Sequence, residues 1–195
     1  MLPLKRIGPL LLAATLGVVG SAQVEWLPLK LQAGRDAKSA AYFPGEVQQV
    51  RDTVATPLGR MPFTTYFHQD DRGLSGNRLY TLTLVEYADG AFPADSLARR
   101  EAFFASTIAA AAESVGGEVT ISERADLGER HGHLFRIDYG DERPTVVRNR
   151  AYLVGDTYVH LQVFSFREDD GARSRKRFFE SLRPGAVVAA RARPR

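Results

Sequence analysis

The dipeptide Gly155-Asp156 constrains this chain more than any other pair of residues. Residues 146–154 before it and 157–166 after it are both rich in β-branched and aromatic side chains, the composition of strands. Two such runs joined by two residues make a hairpin, and glycine in the first central place suits a type II′ turn. A turn of that length also fixes register. It pairs Leu153 with Tyr158, Ala151 with His160, Asn149 with Gln162 and Val147 with Phe164. Residues 169–171 break the pattern. Residues 172–182 then read as a short closing helix with Phe178, Phe179 and Leu182 inward and Arg173, Arg175, Lys176 and Arg177 in solvent.

The rest of the chain is organised around that unit. Trp26 and the alternating Leu27, Leu29 and Leu31 mark residues 23–38 as a linker or edge strand. Residues 39–43 end at the turn dipeptide Pro44-Gly45. Residues 47–54 and 61–68 read as strands, and 78–87 as a central strand because both its faces are apolar. Asp95 or Ser96 can cap a helix in which Leu97, Phe104, Ile108, Ala111 and Val115 recur at helical spacing, with Gly116-Gly117 as its stop. Residues 119–125 and 133–139 read as two more strands. After Pro184 no core-facing period is visible, so 184–195 reads as a disordered basic tail. Strands that follow one another directly favour an antiparallel sheet, and the whole reads as an α+β fold with one globular domain over 39–183.

Residues 1–22 have the grammar of a secretory signal peptide: Lys5 and Arg6, an apolar run through Leu10, Leu11 and Leu12, then Gly20-Ser21-Ala22 as a cleavage site. The expectation is a secreted or periplasmic protein with no transmembrane segment once that peptide is removed. The chain has no cysteine, which excludes disulfides and thiolate metal sites. Its formal charge is +3, but Lys5 and Arg6 lie in the leader and Arg191, Arg193 and Arg195 in the tail. The globular part is therefore close to neutral, which argues against nucleic acid as a partner.

Three segments carry a family resemblance. They are Phe43-Pro44-Gly45, then the run from Arg150 through Gly155-Asp156 to Tyr158, and finally Arg177-Phe178-Phe179-Glu180-Ser181-Leu182. In that order, across roughly residues 40–183, the chain resembles the PsbP-like fold family, in particular its secreted bacterial members. A Ran-binding nuclear-import factor shares the fold. The resemblance implies an antiparallel sheet sandwiched by helices. Its motifs are turn and core signatures, so it implies a fold and no chemistry.

The candidate chemistry is sparse. His131 and His133 flank Gly132 and share one side of an extended strand, so both could reach one metal ion, with His68 or His160 as a third ligand. No acidic ligand stands at a diagnostic spacing, and the expectation is no resident metal and no cofactor. The hairpin register places Asn149, Tyr158, His160 and Gln162 on one sheet face, where they could floor a ligand pocket. Arg148, Arg150 and Tyr152 share the opposite face and could meet an anion. No Gly-x-Ser-x-Gly elbow and no phosphate-binding glycine loop is present. The sequence therefore reads as an exported, non-enzymatic binding or accessory module with an envelope protein as partner. A small-molecule or metal carrier, and a hydrolase, are the alternatives.

Overall fold

The computed structural model describes residues 24–31, 38–56, 59–93, 95–169 and 171–191. The leader over 1–22, its cleavage point and the last four residues lie outside them. Seven strands form one antiparallel sheet in the order β3-β4-β5-β9-β8-β7-β6. They are β3 (Gln48–Thr56), β4 (Gly59–Gln69), β5 (Leu79–Glu86), β6 (Glu118–Arg124), β7 (Gly132–Tyr139), β8 (Thr145–Val154) and β9 (Thr157–Phe166). The hairpin β8–β9 holds the middle of the sheet, and its pairs fall as the turn dictates, Leu153 with Tyr158 through Val147 with Phe164. Gly155 has φ +62°, while no described residue other than glycine has positive φ, so Asp156 completes the type II′ pattern. Strand β5 lies between β4 and β9, the central place its two apolar faces require.

The sheet buries apolar residues on both faces. On one, Tyr158, Leu153, Ala151, Val147, Phe135 and Ile137 pack with Phe104, Ile108 and Ala112 of α1 (Leu97–Ser114). Helix α1 ends in the expected way. Gly116 at φ +58° lets its N–H reach the Glu113 carbonyl at 3.0 Å while Gly117 N–H reaches Ala112 at 2.9 Å, a Schellman closure. Its start departs from expectation, since Ser96 stands at the N-cap without a side-chain hydrogen bond. Leu97 and Val115, the ends of the periodic stripe, are exposed.

On the other face Val159, Leu161, Val163, Tyr80 and Leu82 pack with Phe178 and Phe179 of α2 (Ala172–Glu180). Strands β1 (Leu27–Lys30) and β2 (Ser39–Phe43) form a separate two-stranded sheet and contribute Leu29, Ala41 and Phe43 to this cluster. The end of α2 is tied to β2: Ser181 Oγ accepts from Tyr42 N–H at 2.9 Å, and Arg183 N–H donates to the Ala40 carbonyl at 2.8 Å.

The disordered tail expected after Pro184 is corrected over most of its length. Residues Pro184–Arg191 form a third helix, α3, with Pro184 at its first position, where a missing N–H costs nothing. Val187 is buried in the α2 cluster and Ala186 is buried as well. A helix this short gains its stability from docking rather than from periodicity, so the sequence pattern did not show it.

Candidate metal centre

The side chains that converge with unsatisfied chemistry lie where α1 crosses the end of β7. Glu101 stands three residues before Phe104 and seven before Ile108, on the helix face turned to the sheet. His131 directly precedes β7 and His133 is its second residue. His131 is anchored through its backbone, since its carbonyl accepts from Leu153 N–H on β8 at 2.9 Å. Gly132 between the histidines is required by close approach: a Cβ there would stand 2.7 Å from the Ala151 carbonyl oxygen and 2.8 Å from that of Ala125. Phe104, fully buried, lies beneath both imidazoles, with ring centroids 4.5 Å from His133 and 5.4 Å from His131.

One carboxylate meets both rings. His133 Nε2 is 3.1 Å from Glu101 Oε2, and His131 Nε2 is 3.0 Å from Glu101 Oε1. These ligand atoms lie within 4.8 Å of one another. Atoms bound at ~2.0–2.1 Å to a tetrahedral zinc-like ion stand about 3.3 Å apart, so the carboxylate–imidazole distances already match the edges of such a site. Two imidazoles and one carboxylate are the donor set of borderline dications.

His131 is unsatisfied at both ring nitrogens, and His133 at Nδ1. Its side chain is 2% exposed, and burial pushes its pKa below the ordinary value against the opposing pull of Glu101. Nδ1 faces Asp126 Oδ1 at 3.4 Å while Nε2 faces Glu101, yet neither nitrogen makes a formed hydrogen bond. A neutral imidazole has one N–H and one lone pair, so it cannot donate to a carboxylate at both ends. Adding a proton would satisfy both ends and leave a charge on a buried ring. A dication at Nε2 removes the conflict: the lone pair goes to the ion and the Nδ1 proton faces Asp126.

The other candidate residues are placed differently. Asn149, Tyr158, His160 and Gln162 do share one face, but the first three are buried and close on one another. Asn149 Nδ2 donates to the carbonyls of Phe135 and Val147, both at 3.2 Å. Asn149 Oδ1 therefore accepts, from His160 Nε2 at 3.0 Å and from Gln162 Nε2 at 3.1 Å. The His160 ring also stacks on Phe135, and burial lowers its pKa to about 3. Tyr158 carries a buried hydroxyl with no hydrogen-bond partner. Asn149, His160 and Gln162 thus form an internal polar network whose shared acceptor, Asn149 Oδ1, is already used.

Neither His160 nor His68 joins His131 and His133. His68 Nδ1 is taken by the Glu46 carbonyl at 2.8 Å. The third group beside them is Glu101, 32 residues from His133 and on another element, which no local spacing in the sequence marks. The one available signal was its phase with Phe104 and Ile108, a carboxylate on the apolar side of a helix. On the opposite sheet face Tyr152 is buried, Arg150 lies 5.4 Å over the Phe179 ring and Arg148 donates to Ser165 Oγ at 3.2 Å.

No protein-family model matches the chain, and no curated protein matches it. Among solved structures it is similar to a protein of unknown function, PA94 from Pseudomonas aeruginosa, at 10% identity and a TM-score of 0.40. That likeness covers 82% of this chain and 88% of the other. Among the described residues no helix is long and apolar enough to cross a membrane.

Proposed function

We propose that this chain is an exported metal-binding module of the cell envelope, built on a PsbP-like α/β/α sandwich. The observation that carries it is the convergence of Glu101, His131 and His133 on one point, with both ring nitrogens of His131 unsatisfied in a buried setting. Three protein ligands leave a fourth position for water, on the side of Glu101, whose side chain is 40% exposed. The role is to hold an ion, and binding rather than catalysis is its business. The sandwich is supported by apolar clusters on both sheet faces, one with α1 and the other with α2 and α3. The segments that suggest the family also meet in space, with Phe43 and Phe178 4.9 Å apart.

Calorimetric titration of the full chain with zinc tests the centre. A single saturable site is expected, abolished in Glu101→Gln and in His133→Ala. Absence of binding to the wild type, or equal binding by both variants, overturns it. Export has its own test. The N-terminus of protein recovered from the envelope fraction is expected at Gln23, and a mature chain still carrying Leu10–Leu12 refutes it.

A second reading, docking of an acidic envelope protein, is favoured by a groove of about 560 Å³ between β2 and α2 in which Arg173, Lys176, Arg177 and Arg183 outnumber the one acid, Glu180, with Tyr42 and Ser181 completing the lining. Retention on immobilised polyglutamate, lost on Arg173→Glu with Lys176→Glu, checks it. Retention unchanged by the reversal refutes it.

A further inference from the structure

We propose that Asp126 is the positioning residue of this centre: it receives the Nδ1 proton of His131 and so commits that imidazole to bind the ion through Nε2. This rests on the metal-centre reading above and adds a residue, a tautomer and a ligand atom to it.

Asp126 is built into its place. It follows β6 by two residues and turns back toward the start of β7, where its Oδ1 accepts from Gly132 N–H at 3.1 Å. Arg124 grips both its oxygens: Nε donates to Oδ2 at 2.9 Å and to Oδ1 at 3.1 Å, and NH2 stands 2.7 Å from Oδ2. Those bonds hold the Asp126 carboxyl below its ordinary pKa. The result is a carboxylate held by one backbone N–H and one guanidinium; its Oδ1 accepts from both and stands 3.4 Å from His131 Nδ1, a contact that has to tighten when the ion binds.

The alternative arrangement can be judged on the same distances. An ion bound at Nδ1 would sit between Asp126 and His131, behind the ring, where Glu101 and His133 do not reach. The atoms that converge are the two Nε2 nitrogens and the Glu101 oxygens. Nε2 is therefore the ligand atom, and Nδ1 must carry the proton. A charged acceptor at Nδ1 fixes the ring's orientation and raises the basicity of the opposite nitrogen, the usual work of a carboxylate behind a metal-bound histidine. Every charged group that faces His131 then has a part: Glu101 from α1 and His133 from β7 as ligands, Asp126 as orienter, Arg124 as the clamp on the orienter.

Asp126→Asn is the selective variant, because asparagine keeps the shape and can still accept from Gly132 N–H, while the charge is gone. The full chain, wild type and variant, is titrated with zinc, and long-range 15N–1H spectra of the histidines are recorded on the zinc-loaded forms. Wild-type His131 is expected to show the proton on Nδ1, and the variant to bind zinc 10- to 100-fold more weakly. Equal zinc affinity in a folded variant overturns the role of Asp126 and leaves the metal centre standing. A wild-type spectrum with the His131 proton on Nε2 overturns it without need of the variant. Failure of the wild type to bind zinc removes the centre and this inference together.

Discussion

Phe178→Ala is the substitution whose effect the fold dictates most firmly. Phe178 is 0% exposed and anchors α2. Its ring meets Phe43 at 4.9 Å, Tyr80 at 5.3 Å and Phe179 at 5.9 Å, so it joins β2, β5 and α2 in one aromatic cluster. Removing a side chain that buries ~150–250 Å² forfeits about 4–6 kcal/mol at ~25 cal/mol/Å². Measured Phe-to-Ala changes in cores cost ~3–5 kcal/mol. A domain has ~5–15 kcal/mol in total, so the variant should retain a small fraction of its stability. The assay is a urea melt followed by tryptophan fluorescence, which reports the right region: Trp26 is the only tryptophan and its ring lies 6.4 Å from Tyr80. With a slope of ~1–3 kcal/mol/M, the midpoint should fall by roughly 2 M at unchanged slope. A fall of less than ~0.5 M would mean that the ring is not packed as described, and the docking of α2 on this face would have to be abandoned.

Three further outcomes are expected. Ending the chain at Arg183 removes Val187 and Ala186 from the core and should cost about 2–3 kcal/mol, where a disordered tail would cost nothing; a urea melt decides. His160 should make the fold acid-sensitive. Its folded pKa is about 3 against an unfolded 6.5, so below pH 6.5 the unfolded chain takes up a proton the native state refuses. Stability then drops as pH falls from 6.5 toward 3, by on the order of 4 kcal/mol at the bottom of that window, and His160→Gln should flatten this limb in melts taken across it. Gly132→Ala drives a Cβ against two backbone oxygens and should cost ~1–3 kcal/mol while shifting the imidazole resonances of both flanking histidines; unchanged resonances would show that the close approach is not there.

What the sequence disclosed, and what it withheld, follows the range of the forces involved. The β8–β9 register was legible because a two-residue turn with glycine leaves one pairing. Helix α1 was legible because its period and its glycine stop are local. The separate β1–β2 sheet was not, since its existence depends on Leu29 and Phe43 docking beside α2, a contact between distant segments. Helix α3 was hidden for the same reason. At the sites, alternation correctly put Asn149, His160 and Gln162 on one face, but a strand pattern names the face and not what covers it. Asn149 Oδ1 is taken by His160 and Gln162, so the residues that suggested a pocket bond to one another.

The histidine pair shows the same limit from the other side. Along the chain, His131 and His133 have only His68 and His160 as further imidazoles, and neither lies beside them. Helix α1 delivers Glu101 from a distant part of the sequence. A carboxylate in phase with Phe104 and Ile108 sits on the side of the helix where burial is expensive, and it is half exposed only because its partners lie at the edge of the sheet. An acidic residue on the apolar stripe of a helix therefore asks for a cation or a donor on the facing sheet. Here the facing groups are two imidazoles, one of which has a second carboxylate, Asp126, behind it. Of the two carboxylates on opposite sides of this buried ring, Asp126 is already paired with Arg124, so the proposed dication would meet the charge of Glu101, at the nitrogens where the distances fit.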